Sequence, residues 1–204
     1  MTTSKKPFLF ALLADGSSDR VLIPIIRWSI GQLDPQVVLA PPHFKHRASN
    51  DIRQAVEQLT RDYRPNLVFV HRDSERVDHS TRKREIPRLD CLVPVVPVRM
   101  TEAWLLTDES AIRRASGNPN GRIVLDIPPP NRLEQILDPK NDLHQLLRAA
   151  SELSGRRLKR LDEASAVHRV AESTEDFRAL RILPAFVDFE KELANAYPLA
   201  QSRQ

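Results

Sequence analysis

The acidic residues placed where chemistry is done are Asp15, Asp19, Asp73, Glu75 and Glu102. In Leu12-Leu13-Ala14-Asp15-Gly16-Ser17-Ser18-Asp19-Arg20 an apolar run ends in a carboxylate, a turn-forming glycine and the start of a helix. A second run, Leu67-Val68-Phe69-Val70, ends the same way in His71-Arg72-Asp73-Ser74-Glu75. Open α/β sheets bind ligands in the crevice beyond the carboxyl ends of their strands, so two parallel strands carrying acids there would bring those acids together. Carboxylates gathered without a neutralising partner suit a hard divalent cation. Mg²⁺ takes oxygen ligands at about 2.0–2.1 Å, usually one or two carboxylates with waters and substrate phosphate oxygens. Asp15, Asp73, Glu75 and Glu102 can furnish such a set, with Asp19 assisting directly or through water. Two ions roughly 3.5–4 Å apart would activate a water and stabilise the leaving oxygen of a phosphodiester. The expected chemistry is phosphodiester hydrolysis with Mg²⁺ or Mn²⁺ as cofactor. Each acid also has a plainer role: Asp15-Gly16 as a turn, Asp19 as a helix-dipole partner, Asp73-Ser74-Glu75 as a solvated loop, and Glu102 as a first-turn acid beside Trp104.

These acids need a parallel sheet beneath them. Phe8 to Ala14 is a continuous apolar run, as in a strand covered on both faces. Ser17 or Ser18 is placed to cap a helix reaching about Ile30, with a bend at Pro24. Gln36 to Ala40 reads as a second strand stopped by Pro41-Pro42, and His43-x-x-His46 as loop, since no further spaced ligands make it a zinc site. Ile52, Val56, Leu59 and Tyr63 recur on one helical face, with Ser49 or Asn50 as cap. The third strand, Leu67 to Val70, follows Pro65-Asn66 at once. Strand, helix, strand, helix, strand favours a parallel α/β sheet.

Beyond it, Asp78 to Arg88 is a charged loop or short helix, and Cys91 to Val98 is an edge strand because it carries Pro94 and Pro97. Thr101 caps a short helix holding Glu102 and Trp104. Asn118 to Asn131 is a Pro- and Gly-rich edge, and the rest is helical around Leu133, Leu143-Leu146-Leu147, Val167-Val170 and Phe186-Phe189-Leu193. The expected organisation is an α/β core over residues 1–117, with about four parallel strands flanked by helices, and a helical extension over 118–204 packed upon it.

Composition sets wide bounds. At 204 residues, 41% hydrophobic and 28% charged, the chain has the content of a soluble globular protein rather than a disordered one. No stretch approaches the roughly 18 apolar residues that cross a bilayer. Lys5-Lys6 precedes an apolar run that Asp15 cuts short, so it reads as the first strand of a cytoplasmic protein rather than a leader. The single Cys91 excludes an internal disulfide and fits a reducing compartment. A net charge of +4 is compatible with a polyanionic partner. Arg82-Lys83-Arg84 with Arg88, and Arg156-Arg157 with Lys159-Arg160, would track a nucleic-acid backbone or simply form solvated faces. His71, two residues before Asp73, either bonds backbone or reaches metal or substrate.

Ala14-Asp15-Gly16-Ser17-Ser18-Asp19 is similar to the acidic-Gly-x-Ser/Thr-Asp motif that opens TOPRIM domains of the OLD nuclease type. Asp73-Ser74-Glu75 resembles their second motif, normally Asp-x-Asp, unless His71-x-Asp73 is the matching pair. Met100-Thr101-Glu102-Ala103-Trp104-Leu105-Leu106 resembles the Glu-Ala-Trp-Leu-Leu segment of a small TOPRIM-like family whose members are often encoded beside ABC-type ATPases in prokaryotic defence loci. The resemblance covers about the first 110 residues and, more loosely, Leu183-Pro184-Ala185-Phe186. TOPRIM domains usually carry Glu where Asp15 stands here, one methylene longer. The resemblance implies a metal-dependent nuclease acting on DNA or RNA with an ABC-type ATPase partner in anti-phage defence. Its rivals are a non-catalytic regulatory subunit of such an ATPase and a phosphotransfer enzyme acting on a small nucleotide. Assembly as a homo-oligomer is compatible with any of these.

Overall fold

The computed structural model describes residues 6–47 and 51–202. Strands β1 (Phe10–Ala14), β2 (His43–His46), β3 (Leu67–His71) and β4 (Leu92–Val95) form one parallel sheet in the order β2-β1-β3-β4. The central strands β1 and β3 are buried at every residue, which is why both read as unbroken apolar runs. Their side chains alternate between two cores. Phe10, Leu12, Leu67 and Phe69 face the larger one. Ala11, Leu13, Val68 and Val70 face a smaller one completed by Ile52, Val56 and Leu59 of helix α2 (Ile52–Tyr63).

The larger core is made by helices α1 (Leu22–Leu33), α4 (Glu109–Ala115), α5 (Pro139–Ser151), α7 (Glu163–Ser173) and α8 (Pro184–Gln201), all on that face of the sheet. Two further short helices, α3 (His79–Arg84) and α6 (Gly155–Leu158), bury no residue. Aspartate is the recurrent helix-starting device: Asp51, Asp78, Asp108, Asp138 and Asp162 each accept a hydrogen bond from a first-turn backbone N–H. The 3-10 turn Thr101–Leu105 is anchored by Trp104, packed edge-on against Phe186 with ring centroids 5.1 Å apart. Phe189 joins both to Phe69 of β3, so α8 fixes the turn that carries Glu102. No helix among the described residues is long and apolar enough to cross a membrane.

Several local expectations are corrected. The second strand is His43–His46 rather than Gln36–Ala40; only Leu39 pairs, in a single bridge with Phe8. This is the sheet's outer strand, half exposed, so it lacks the apolar signal that marks β1 and β3. His43 stacks on Tyr63 of α2 at 3.9 Å. The first helix begins at Leu22, after a 3-10 turn over Ser17–Val21 that Gly16, not a serine, precedes. Pro24 then falls in the first turn, where its missing N–H would have no intrahelical partner. Asp51 caps α2, and Ser49 and Asn50 lie outside the described residues. Thr101 is the first residue of its turn, preceded by Met100, and its hydroxyl points elsewhere. Cys91 is half-buried. Pro94 lies on β4, the other outer strand, where the absent N–H blunts the edge.

Because Phe186 of α8 is fully buried against the turn, truncating it to Ala should lower the unfolding free energy by about 3–5 kcal/mol. Urea denaturation checks this. A single transition shifted as a whole is expected, and loss of the C-terminal helices alone would show that they do not share the sheet's core.

Candidate metal centre

The carboxyl ends of β1 and β3 lie side by side, with Leu13 opposite Val70, and each strand runs directly into acidic residues. His71, the last residue of β3, is fully buried, and its Nδ1 lies 3.1 Å from the Val95 carbonyl oxygen of β4. A carbonyl only accepts, so Nδ1 carries the proton and donates it. In the neutral ring that leaves a lone pair on Nε2, the arrangement of a metal-ligating histidine oriented by backbone. Nε2 lies 3.4 Å from Asp73 Oδ1 and 3.6 Å from Asp19 Oδ2. Ligand atoms of Asp19, His71 and Asp73 all fall within 4.8 Å of one another. The histidine–carboxylate separations are long for hydrogen bonds and about half an ångström wider than the about 3 Å between adjacent ligands of an octahedral ion with bonds near 2.1 Å.

Each member is held by its surroundings. Asp19 is buried in the 3-10 turn, where its Oδ2 accepts from the Gly16 N–H at 2.8 Å and its Oδ1 from the Ser18 hydroxyl at 3.4 Å. Asp73 sits two residues past His71, and its Oδ1 accepts from the Thr101 hydroxyl at 3.3 Å. That hydroxyl also lies 3.4 Å from His71 Nε2. Glu102 follows Thr101, is 8% exposed, and makes no hydrogen bond or ion pair among the described residues. Asp73 shows the cost of this crowding. Burial first, and then repulsion from Asp19, Glu102 and Asp15, push its carboxyl up to about 6 from 3.8, against a pull downward from His71. A divalent cation is the species that would relieve it, and the donor set of one imidazole nitrogen and two carboxylates fits one.

Of the acids singled out from sequence, Asp19 and Asp73 are in the cluster, and Glu102 and Asp15 act on Asp73 through their charge. Asp15 is not one of the ligand group. Its Oδ1 accepts from Arg47, with Nε at 2.9 Å and Nη2 also bonded, and its Oδ2 from Arg72 Nε at 3.2 Å. Glu75 is exposed, in left-handed backbone at φ 51°, and does not join the group. Its N–H donates to the carbonyl of Arg99, itself left-handed at φ 66°. The structure therefore pairs His71 with Asp73, the alternative register of the second motif. Residues two apart leave an extended chain on the same side, a signal present in the sequence.

The basic runs do not converge on this edge as two strips. Arg82 bonds Glu85, Arg84 bonds the Ser80 carbonyl, and Lys83 bridges to Asp188 and Glu192 of α8. Lys83, Arg84 and Arg88 line a groove of about 1200 Å³ between α3, β4 and α8, which no residue of the acidic cluster lines. Arg156, Arg157, Lys159 and Arg160 are exposed on and after α6. The cations that do reach the acidic edge are Arg47 and Arg72, which the run-based reading passed over.

Asp73 supplies a pH test in metal-free buffer. Its folded-state value lies above its unfolded value, so between about 4 and 6 the native state binds the extra proton and stability falls as pH rises. Above that window the ionised carboxylate is a standing cost. Asp73→Asn should therefore stabilise the apo-protein at pH 8 by on the order of 2 kcal/mol and lose the advantage toward pH 4. Thermal unfolding across pH measures this, and a variant less stable than wild type at pH 8 would contradict it. Compared with protein-family models, curated proteins and solved structures, the chain matches none.

Proposed function

We propose that this chain is a divalent-metal-dependent phosphodiesterase acting on nucleic acid, with the ion held by Asp19, His71 and Asp73. The observation that carries the reading is the placement of His71 Nε2, which lies 3.4 and 3.6 Å from two carboxylates while Nδ1 bonds the Val95 carbonyl. Its support is threefold: the place of the cluster at the carboxyl edge of a parallel sheet, the unfavourable ionisation of Asp73, and the TOPRIM-like motifs that supply these residues. The nitrogen donor shifts the expected preference from Mg²⁺ toward Mn²⁺, because Mg²⁺ favours an all-oxygen shell. When bound, such an ion lowers the pKa of its water and neutralises charge on a phosphoryl oxygen. Asp19 and Asp73 orient the ion, each fixed by a donor of its own. Thr101 holds Asp73 in place, and Glu102, buried and without a fixed partner, is the group available to take the proton of an attacking water. The TOPRIM-like motifs extend the proposal to an effector working with an ABC-type ATPase in anti-phage defence.

A second reading is favoured by one observation. Both oxygens of Asp15 are occupied by guanidinium groups, so the first acid of the motif is not in the ligand group. A non-catalytic subunit regulating an ATPase would tolerate that arrangement.

Calorimetric titration of Mn²⁺ and Mg²⁺ into wild type, Asp73→Asn and His71→Ala separates these readings. Saturable Mn²⁺ binding in wild type, abolished in Asp73→Asn and weakened at least about tenfold in His71→Ala, is expected. Cleavage of labelled DNA or RNA by the Mn²⁺-loaded protein, lost in Asp73→Asn, would complete the case. Metal binding without cleavage, even with the ATPase added, would favour the regulatory subunit, and absence of metal binding would sink the proposal.

A further inference from the structure

The Asp15 ion pairs have an unusual distribution of burial. The side chains of Arg47 and Arg72 are 8% and 16% exposed, whereas the carboxylate they share is 32% exposed. Two half-buried arginines thus hold a more exposed carboxylate between them. Each arginine is aimed by its own strand. Arg47 follows β2 and its N–H donates to the Ala14 carbonyl, while Arg72 follows β3 and donates to the Val95 carbonyl. Arg72 is further braced by Glu85 at 2.7 Å, which Arg82 also contacts.

A guanidinium fork fits the paired oxygens of a carboxylate and of a phosphate equally well. One arginine on each oxygen of Asp15 is the same geometry that would hold the two non-bridging oxygens of a phosphodiester. We infer that Arg47 and Arg72 form the binding site for a backbone phosphodiester of the substrate strand, and that the Asp15 carboxylate occupies this site until the strand displaces it. Asp15 stands on the Ala14-Asp15-Gly16 turn and its charge already reaches Asp73, so a displaced Asp15 stays next to the metal centre. The inference rests on the phosphodiesterase reading for its substrate class, but strand binding at the arginines needs no metal.

The test is fluorescence anisotropy of a labelled single-stranded DNA decamer in EDTA, with inorganic phosphate as competitor. Asp15→Asn removes the competing anion and leaves both arginines, so it should bind the decamer about tenfold tighter than wild type. Arg47→Gln and Arg72→Gln should each weaken binding about tenfold and lower the slope of log affinity against log salt by about 0.7. Decamer binding unchanged or weaker in Asp15→Asn, or an unaltered slope in a folded Arg72→Gln, would overturn the assignment. No binding of the decamer by wild type or by Asp15→Asn would overturn the diester. Since EDTA is present throughout, failure here leaves the Mn²⁺ titration untouched, and failure of that titration leaves this result standing.

Discussion

The hydrogen bond from His71 Nδ1–H to the Val95 carbonyl joins the sheet to its site. It ties the end of β3 to the end of β4, sets the imidazole tautomer, and directs Nε2 at Asp19 and Asp73. That direction holds only while the sheet is parallel in the observed order. The Val95 carbonyl must sit beside His71, and the turn after β1 must bring Asp19 from the opposite side. Apolar burial enforces this order. Phe10 and Phe69 pack edge-on at 5.4 Å, and Phe69 meets Phe189 of α8, whose neighbour Phe186 seats Trp104 and thereby the Thr101-Glu102 turn. The C-terminal helices support the site from below, by packing against the turns that carry Asp19 and Thr101-Glu102.

The edge divides its charge between two compartments. Asp19 and Asp73 crowd around His71, and Glu102 adds its charge to Asp73, while Asp15 and Glu85 are matched to Arg47, Arg72 and Arg82. A buried carboxylate held among like charges is a cost to folding that is ordinarily offset by a cation. On the other side Arg47 and Arg72 bring the opposite sign. Under the proposed function the two would together suit a metal-bound phosphate ester, with a cation between the acids on one side and oxyanion donors on the other.

Much of this was legible from residue type and period. The apolar runs of β1 and β3, the acids after each, the helical face of α2 and the edge character conferred by Pro94 all carry local signals, and the parallel α/β sheet follows from their alternation. The half-exposed β2 has no such signal, because an outer strand at the rim buries too little to pattern its sequence. Asp73-Ser74-Glu75 invited a pairing of acids, but left-handed backbone at Glu75 sends that side chain to solvent, while period two keeps His71 beside Asp73. The Arg47–Asp15 contact spans 32 residues and depends on β2 lying next to β1, so no run or spacing announces it. The basic runs that do stand out in the chain are spent on Glu85, Asp188 and Glu192 or exposed.

The central claim is that His71 Nε2 is a ligand to a divalent cation rather than a buried ring satisfied by backbone alone. Pulsed electron paramagnetic resonance on the Mn²⁺-loaded protein tests it directly, because a coordinated imidazole couples its nitrogen to the ion. The account predicts the coupling of a single histidine nitrogen in wild type, absent from His71→Ala at Mn²⁺ concentrations that still load the variant. Bound Mn²⁺ with no nitrogen coupling, or with the same coupling in the variant, would contradict it.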